Sequence, residues 1–261
     1  MVLLAHHDAA PTGRIFDQGF QRRLGSMFPG IVERIDTALP MWWPTLAGHG
    51  LVAYGAARGR RAATAAGFVV CLGSVAAFAD IARSPIVPGA NDNLTAVAAL
   101  LAIAARLRDE PQPGVRVLLV SCGSEEVLQG GIHGFAARHF PSLDRERTWV
   151  LNLETVGSPR LVMLEGEGPI VMEDYTDKTF RDLVARAAER AGVRMRRGMR
   201  ARSSTDSVIP SRAGFPTATL TSVDRHKLLS NYHLMTDTPE NVRYETVVDA
   251  IDVVEAVIRS A

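Results

Sequence analysis

Residues Val115–Glu126 read VRVLLVSCGSEE, a β-branched apolar run that stops at a glycine and two adjacent carboxylates. Such a run bounded by turn residues predicts a buried strand over Val115–Ser121. Ser124-Glu125-Glu126 follows directly, at the strand end where open α/β sheets place their sites. Four further runs predict strands: Val2–Ala5, Thr148–Leu153, Leu161–Leu164 and Thr217–Thr221. Between them, Leu94, Val97, Leu101, Ala104 and Leu107 recur at helical spacing, as do Phe180, Leu183, Val184, Ala187 and Ala191. A last helix is predicted to start with Thr238 as cap and Pro239 in the first position, burying Tyr244, Val247, Val248, Ile251, Val254 and Ile258. The alternation predicts an α/β fold: three layers, with a mixed, mostly parallel central β-sheet and helices on both faces.

The chain has 261 residues, 47% apolar and 22% charged, which is the composition of an ordered globular protein. A formal net charge of +1 gives no electrostatic reason to propose nucleic acid as a partner. Cys71 and Cys122 are too few for a disulfide framework and are not spaced as a metal pair. Met1–Ala5 lacks the basic region and cleavage site of a signal peptide and reads as a buried strand, so upstream elements are expected to be missing.

One region departs from the alternation. Thr37–Ala57 and Ala62–Ala79 carry no formal charge, and Arg58-Gly59-Arg60-Arg61 lies between them. Each run is close to the ~20 residues that span a bilayer, Trp42 and Trp43 suit an interface, and the arginines would sit on the cytoplasmic side. Pro40, Pro44 and His49 interrupt the first run, and a soluble lid or dimerisation arm satisfies the same pattern. Residues 37–83 are therefore expected to form an apolar helical hairpin inserted in a catalytic domain made of 1–36 and 84–261, with membrane association through 37–79 left open.

Five elements carry chemistry. His6-His7-Asp8 ends the first strand, where a histidine can bind a metal while a carboxylate two residues on orients its other nitrogen. Gly89-Ala90-Asn91-Asp92-Asn93 is a tight turn before a helix, and its plain reading is a cap. Glu125-Glu126 sits among glycines that allow close backbone approach. Glu154 ends the apolar run Trp149-Val150-Leu151-Asn152-Leu153, and Tyr232-His233 lies in a loop before the last helix. Each piece alone is ambiguous. His7 should face away from its neighbour His6, and His49, His133, His139 and His226 have no evident carboxylate partner. The basic stretch Arg194, Arg196, Arg197, Arg200 and Arg202 reads as a solvated edge strand.

Taken in order, these five elements resemble the M28 family of zinc peptidases, of the bacterial aminopeptidase type, from Val2 to about Ile258. The resemblance implies two zinc ions bridged by Asp92. It implies Glu126 and His233 as the other ligands of one ion, and His6 and Glu154 as those of the second. It implies Asp8 as the residue orienting His6, Glu125 as general base, and Tyr232 as hydroxyl donor to a tetrahedral intermediate. Asp206 matches a family loop position with no assigned role. A cis Asp92–Asn93 peptide is also implied, and a peptide or aminoacyl compound as substrate.

Three departures from the family pattern stand out. Glu154 replaces the more usual aspartate, so a weaker second ion is expected. Ala96 replaces a glycine. The elements that normally precede the first strand are absent, which would leave Val2–Ala5 at an under-supported edge. Two other readings share the fold: a single-zinc acyltransferase like glutaminyl cyclase, and a non-catalytic membrane module, against which the full ligand set argues. Side-chain preference depends on pocket shape, and neither it nor the oligomeric state is set by these residues.

Overall fold

The structure, a computed structural model, describes residues 1–37 and 43–261. Pro40 and Trp42 lie outside the described residues. The elements in chain order are β1 (Val2–His6), α1 (Gly19–Met27), α2 (Pro29–Arg34), α3 (Trp43–Ala57), α4 (Arg61–Ile81), α5 (Thr95–Asp109), β2 (Leu118–Cys122) and α6 (Gly130–His139). They continue with β3 (Val150–Glu154), β4 (Arg160–Glu167), β5 (Glu173–Asp174), α7 (Lys178–Arg190), β6 (Arg196–Ala201), α8 (Val208–Arg212), β7 (Thr217–Val223) and α9 (Tyr244–Ile258). The sheet runs β2-β1-β3-β7-β4-β5, with β6 also paired to β4. β2, β1, β3 and β7 are mutually parallel, and β4 is antiparallel to β7.

Alternation within the strands separates two apolar layers. Leu3, Ala5, Leu151, Leu153, Ala218 and Leu220 face α5, α7 and α9, while Val2, Leu4, Val150 and Phe215 face α6. The α/β expectation holds, with corrections. β1 is not at an edge: it pairs with β2 on one side and β3 on the other. β2 opens at Leu118 rather than Val115. The segment Pro239–Asn241 is only a single 3-10 turn, because Val242 is extended (φ −80°, ψ 139°); α9 starts at Tyr244. Its buried face includes Ala250, Val253 and Val257, whereas Tyr244 and Val248 are exposed. The reason is that α9 packs between α5 and α7 and against β4, which turns its alanine and valine side inward. β6 is an edge strand, but its arginines are not merely solvated. Arg197 bonds Glu165 (2.9 Å) and Asp182 (2.7 Å), and Arg200 bonds Asp174 (2.9 Å) and Asp36 (3.1 Å).

Candidate metal centre

The parallel strands deliver the site at their C-terminal ends. His6 is the last residue of β1 and Glu154 the last of β3, both buried by the layers on either side. Asp92 sits in the turn Ala90–Leu94 that leads into α5, and the Asp92–Asn93 peptide is cis as expected. Glu125 and Glu126 follow β2, and His233 comes from the loop after β7. Backbone in the left-handed region recurs around them, at Ser124 (φ 57°), Thr155 (φ 52°) and His233 (φ 51°). Such residues cost on the order of 1–3 kcal/mol each and persist where the surroundings enforce them.

The two oxygens of Asp92 face different partners. Oδ1 lies 3.4 Å from His6 Nε2, which is itself 3.2 Å from Glu154 Oε1. Oδ2 lies 3.4 Å from His233 Nε2, which is 3.1 Å from Glu126 Oε1. In each set, His6–Asp92–Glu154 and Asp92–Glu126–His233, the donor atoms lie within 4.8 Å of one another. Glu125 joins a third grouping with His6 and Glu126 on the same criterion. Among the described residues, Asp92 Oδ2, Glu154 Oε2 and both nitrogens of His233 are buried without a well-aligned hydrogen bond. Buried polar atoms left unpaired cost ~1–3 kcal/mol each, and imidazole with carboxylate is a donor set that suits zinc. The residues fit divalent ions.

Several partners that hold this arrangement were not foreseen. Asp237, fully buried, accepts the backbone N–H groups of Asn91 (2.8 Å) and Asp92 (3.1 Å). Asn91 Oδ1 accepts Gly157 N–H (2.7 Å), and Asn93 Oδ1 accepts Thr155 N–H (2.8 Å), tying the turn to the end of β3. The only sequence signal for Asp237 was an acidic residue beside a Thr-Pro start, which reads as a cap. Asp8 does more than expected. His6 Nδ1 donates to the Asp8 carbonyl (3.1 Å) and lies 3.5 Å from Asp8 Oδ1, which leaves Nε2 facing the other donors. The Asp8 carboxylate also accepts the N–H groups of Glu125 (3.0 Å) and Glu126 (3.1 Å). Ser121 Oγ meets His7, which faces away as expected.

Burial, then the charge of Glu154, pushes Glu125 up to about 10. Burial also raises Glu126. Burial alone would lower both histidines. Glu154 and Asp92 outweigh it at His6, and Asp92 and Glu126 outweigh it at His233, which rises to about 9. Burial and the surrounding carboxylates keep the Tyr232 phenol protonated. Its ring stacks on His233 at 3.8 Å between centroids, and Phe16 packs edge-on against both. Asp206 is fully buried beside the Cys122 thiol; burial, then Glu154, raises it to about 7.

Comparison with known proteins follows from this geometry. The sequence model of Peptidase family M28 matches residues 74–258, and the chain belongs to that family. The matched span includes Asp92, Glu125, Glu126, Glu154, Tyr232 and His233, and the fold adds His6 and Asp8 from outside it. Among solved structures, the zinc aminopeptidase BSAP from Bacillus subtilis is similar at 22% identity and TM-score 0.54, covering 67% of this chain and 42% of that one. LapB from Legionella pneumophila is similar at 17% identity and TM-score 0.55, covering 66% and 47%. Tannerella forsythia glutaminyl cyclase is similar at 20% identity and TM-score 0.55, covering 70% and 67%. At these identities the likeness speaks to the fold. The chain spans less than half the length of BSAP and LapB. No curated protein matches it.

Proposed function

We propose that the protein releases N-terminal amino acids from peptides as a di-zinc aminopeptidase, in a catalytic domain formed by residues 1–36 and 84–261. The observation that carries this is Asp92, which offers one oxygen to a His6–Glu154 pair and the other to a His233–Glu126 pair. His6, Asp92 and Glu154 would hold one ion, and Asp92, Glu126 and His233 the second. Bound zinc supplies Lewis acidity to a carbonyl oxygen and lowers the pKa of water. The protein's own groups do the rest. Glu125, fixed through its amide by Asp8, takes the proton of the attacking water and passes it to the leaving amine. Burial, then the charge of Glu154, raises this carboxyl, and a cation held in the pocket would favour its ionised form. Tyr232, neutral and pinned on His233, donates to the developing oxyanion, a contribution of about 2.7–4 kcal/mol where such donors are removed.

Metal analysis of the purified protein beside a panel of aminoacyl-nitroanilides tests this reading. Glu125→Gln should keep its zinc and lose ~10²-fold or more in turnover, while Glu126→Ala should lose metal. Nearly full activity in Glu125→Gln would sink the mechanism. A second reading is cyclisation of N-terminal glutamine with one zinc. It is favoured by the fuller coverage of the Tannerella cyclase, and ammonia release from glutaminyl peptides with a single bound ion would establish it instead.

A further inference from the structure

The hairpin α3–α4 has its large and small residues reversed from what water selects. Its buried residues are Gly48, Gly55 and Gly67, where the two helices meet. A Cβ on Gly67 would come within 2.7 Å of the Gly48 carbonyl oxygen and of Val52 N, so the backbones touch there. The bulky side chains point away: Phe68 is 60% exposed, Val69 67%, Leu72 54% and Val75 63%, joined by Leu46 and Tyr54 from α3. Only 6% of the most apolar stretch of α4 is buried within the molecule. In water, a helix pair puts large apolar residues in its seam; small residues in the seam and large ones outside is the arrangement for lipid.

Four further features agree. Polar side chains of the hairpin bond within it, one pair to each other and the rest to backbone carbonyls, as a hydrocarbon surrounding demands. Thr45 Oγ1 and Ser74 Oγ bond across the seam (3.0 Å), and Ser74, His49 and Thr64 bond the carbonyls of Val70, Thr45 and Arg60. Charge is confined to the two ends. Arg58, Arg60 and Arg61 form the tip, and at the root Asp80 accepts Arg14 N–H (2.8 Å). Length matches in α4, whose 21 residues at 1.5 Å per residue give about 31 Å against a hydrocarbon thickness of about 30 Å; α3, with 15 residues, is about 22 Å long and packs along it as the shorter arm. At the start of α3, Trp43 Nε1–H donates to Pro169 O (3.4 Å) beside exposed Ile170 and Val171, with the Arg202 guanidinium 5.5 Å from its ring, as suits an interface.

We infer that α3–α4 is a transmembrane hairpin, with its arginine tip on the cytoplasmic side and the catalytic layers on the opposite face. A second copy of the chain is a poorer occupant, because an interface between copies keeps a polar rim, whereas between tip and root the described exposed face is apolar except for His49, whose ring bonds the Thr45 carbonyl. The inference is independent of the peptidase reading, since an inactive protein would partition in the same way.

The test is membrane fractionation of the full chain expressed in cells, followed by an alkaline carbonate wash. The protein should stay in the membrane pellet and be released only by detergent. The triple variant Phe68→Asp, Leu72→Asp, Val75→Asp leaves the glycine seam intact and should shift to the soluble fraction. Recovery of the unaltered chain in the soluble fraction without detergent overturns the inference. A monomer there would mean a lid, and a dimer dispersed by the triple variant would mean a self-interface. For orientation, Gly59→Cys in a chain with Cys71→Ala and Cys122→Ala should react with an impermeant maleimide only after the cells are permeabilised. Reaction in intact cells overturns the assigned orientation.

Discussion

Replacing Asp8 separates two jobs that one side chain performs. Its carboxylate accepts two amide N–H groups, at 3.0 and 3.1 Å, from the residues that carry Glu125 and Glu126. Hydrogen bonds to a charged group contribute about 1.5–3 kcal/mol each. The Asp8 side chain is 24% exposed, so water replaces part of that loss and Asp8→Ala should cost about 2–3 kcal/mol. Asp8→Asn is the sharper probe. It keeps the shape but turns an N–H group toward one of the two amides, so the Glu125 turn must shift while the Asp8 carbonyl still receives His6 Nδ1. A misplacement of ~1 Å at a catalytic group costs roughly 10²-fold. The expected outcome is a fall in kcat of that order, with zinc content near that of the unaltered protein and a lower urea midpoint. If Asp8 acted only by orienting His6, the main loss would instead be ~10–100-fold in metal affinity. Unchanged kcat with weakened zinc, or no change in either, would refute the argument for the turn.

Further outcomes follow from other residues. Burial, which outweighs its hydrogen bonds to Thr205, raises Glu167 to about 8, so the folded form holds a proton that the unfolded form releases. That contribution is complete below about pH 4.5 and is lost as pH rises toward 8. Glu167→Gln should therefore gain on the unaltered protein across that window, by up to about 3–5 kcal/mol; equal urea midpoints at both ends would contradict this. Glu154→Asp should tighten the weaker of two zinc sites in titrations of metal-free protein, and two equal sites unmoved by the change would remove the case for chain length at this position. Phe180→Ala, at a side chain 2% exposed and stacked on Trp149 at 5.2 Å, should lower stability by about 3–5 kcal/mol in denaturant melts. A loss below 1 kcal/mol would show that the layer collapses into the space.

What the sequence made legible was whatever depends on strand ends. His6, Glu154 and the Glu125-Glu126 pair each follow an apolar run, and parallel β1, β3 and β2 carry them to one edge. The supporting contacts were hidden because they join residues far apart through backbone amides, which no side-chain pattern announces. Asp237 looks like any acidic residue before a Thr-Pro start, yet it grips the Asp92 turn. The spacing of Asp8 to His6 is visible in the sequence, whereas its hold on the Glu125 and Glu126 amides is not. Of the α9 stripe, Val247, Ile251, Val254 and Ile258 are buried and only Tyr244 and Val248 are not, because periodicity fixes the pitch of a face, not its breadth. A helix wedged between α5 and α7 buries small residues that a search for large ones passes over. For the same reason the arginines of β6 read as solvated, since their partners Glu165, Asp182, Asp174 and Asp36 come from other elements.

The contacts around Asp92 have a consequence for the order in which the molecule becomes itself. His6 meets Glu154 across 148 positions, and the Asp92 amide meets Asp237 across 145. The residues through Asp237 must therefore be made before all these groups can converge, and fragments ending before His233 lack the Asp92–Glu126–His233 half of the cluster. Ions that bind it see only the finished fold, and so stabilise that fold by RT ln(1 + [ion]/Kd), about 4 kcal/mol at a thousandfold excess over Kd. If the proposed ions bind, their supply would govern how long the folded chain survives, and a chelator should hasten its proteolysis well before any loss of helix is visible.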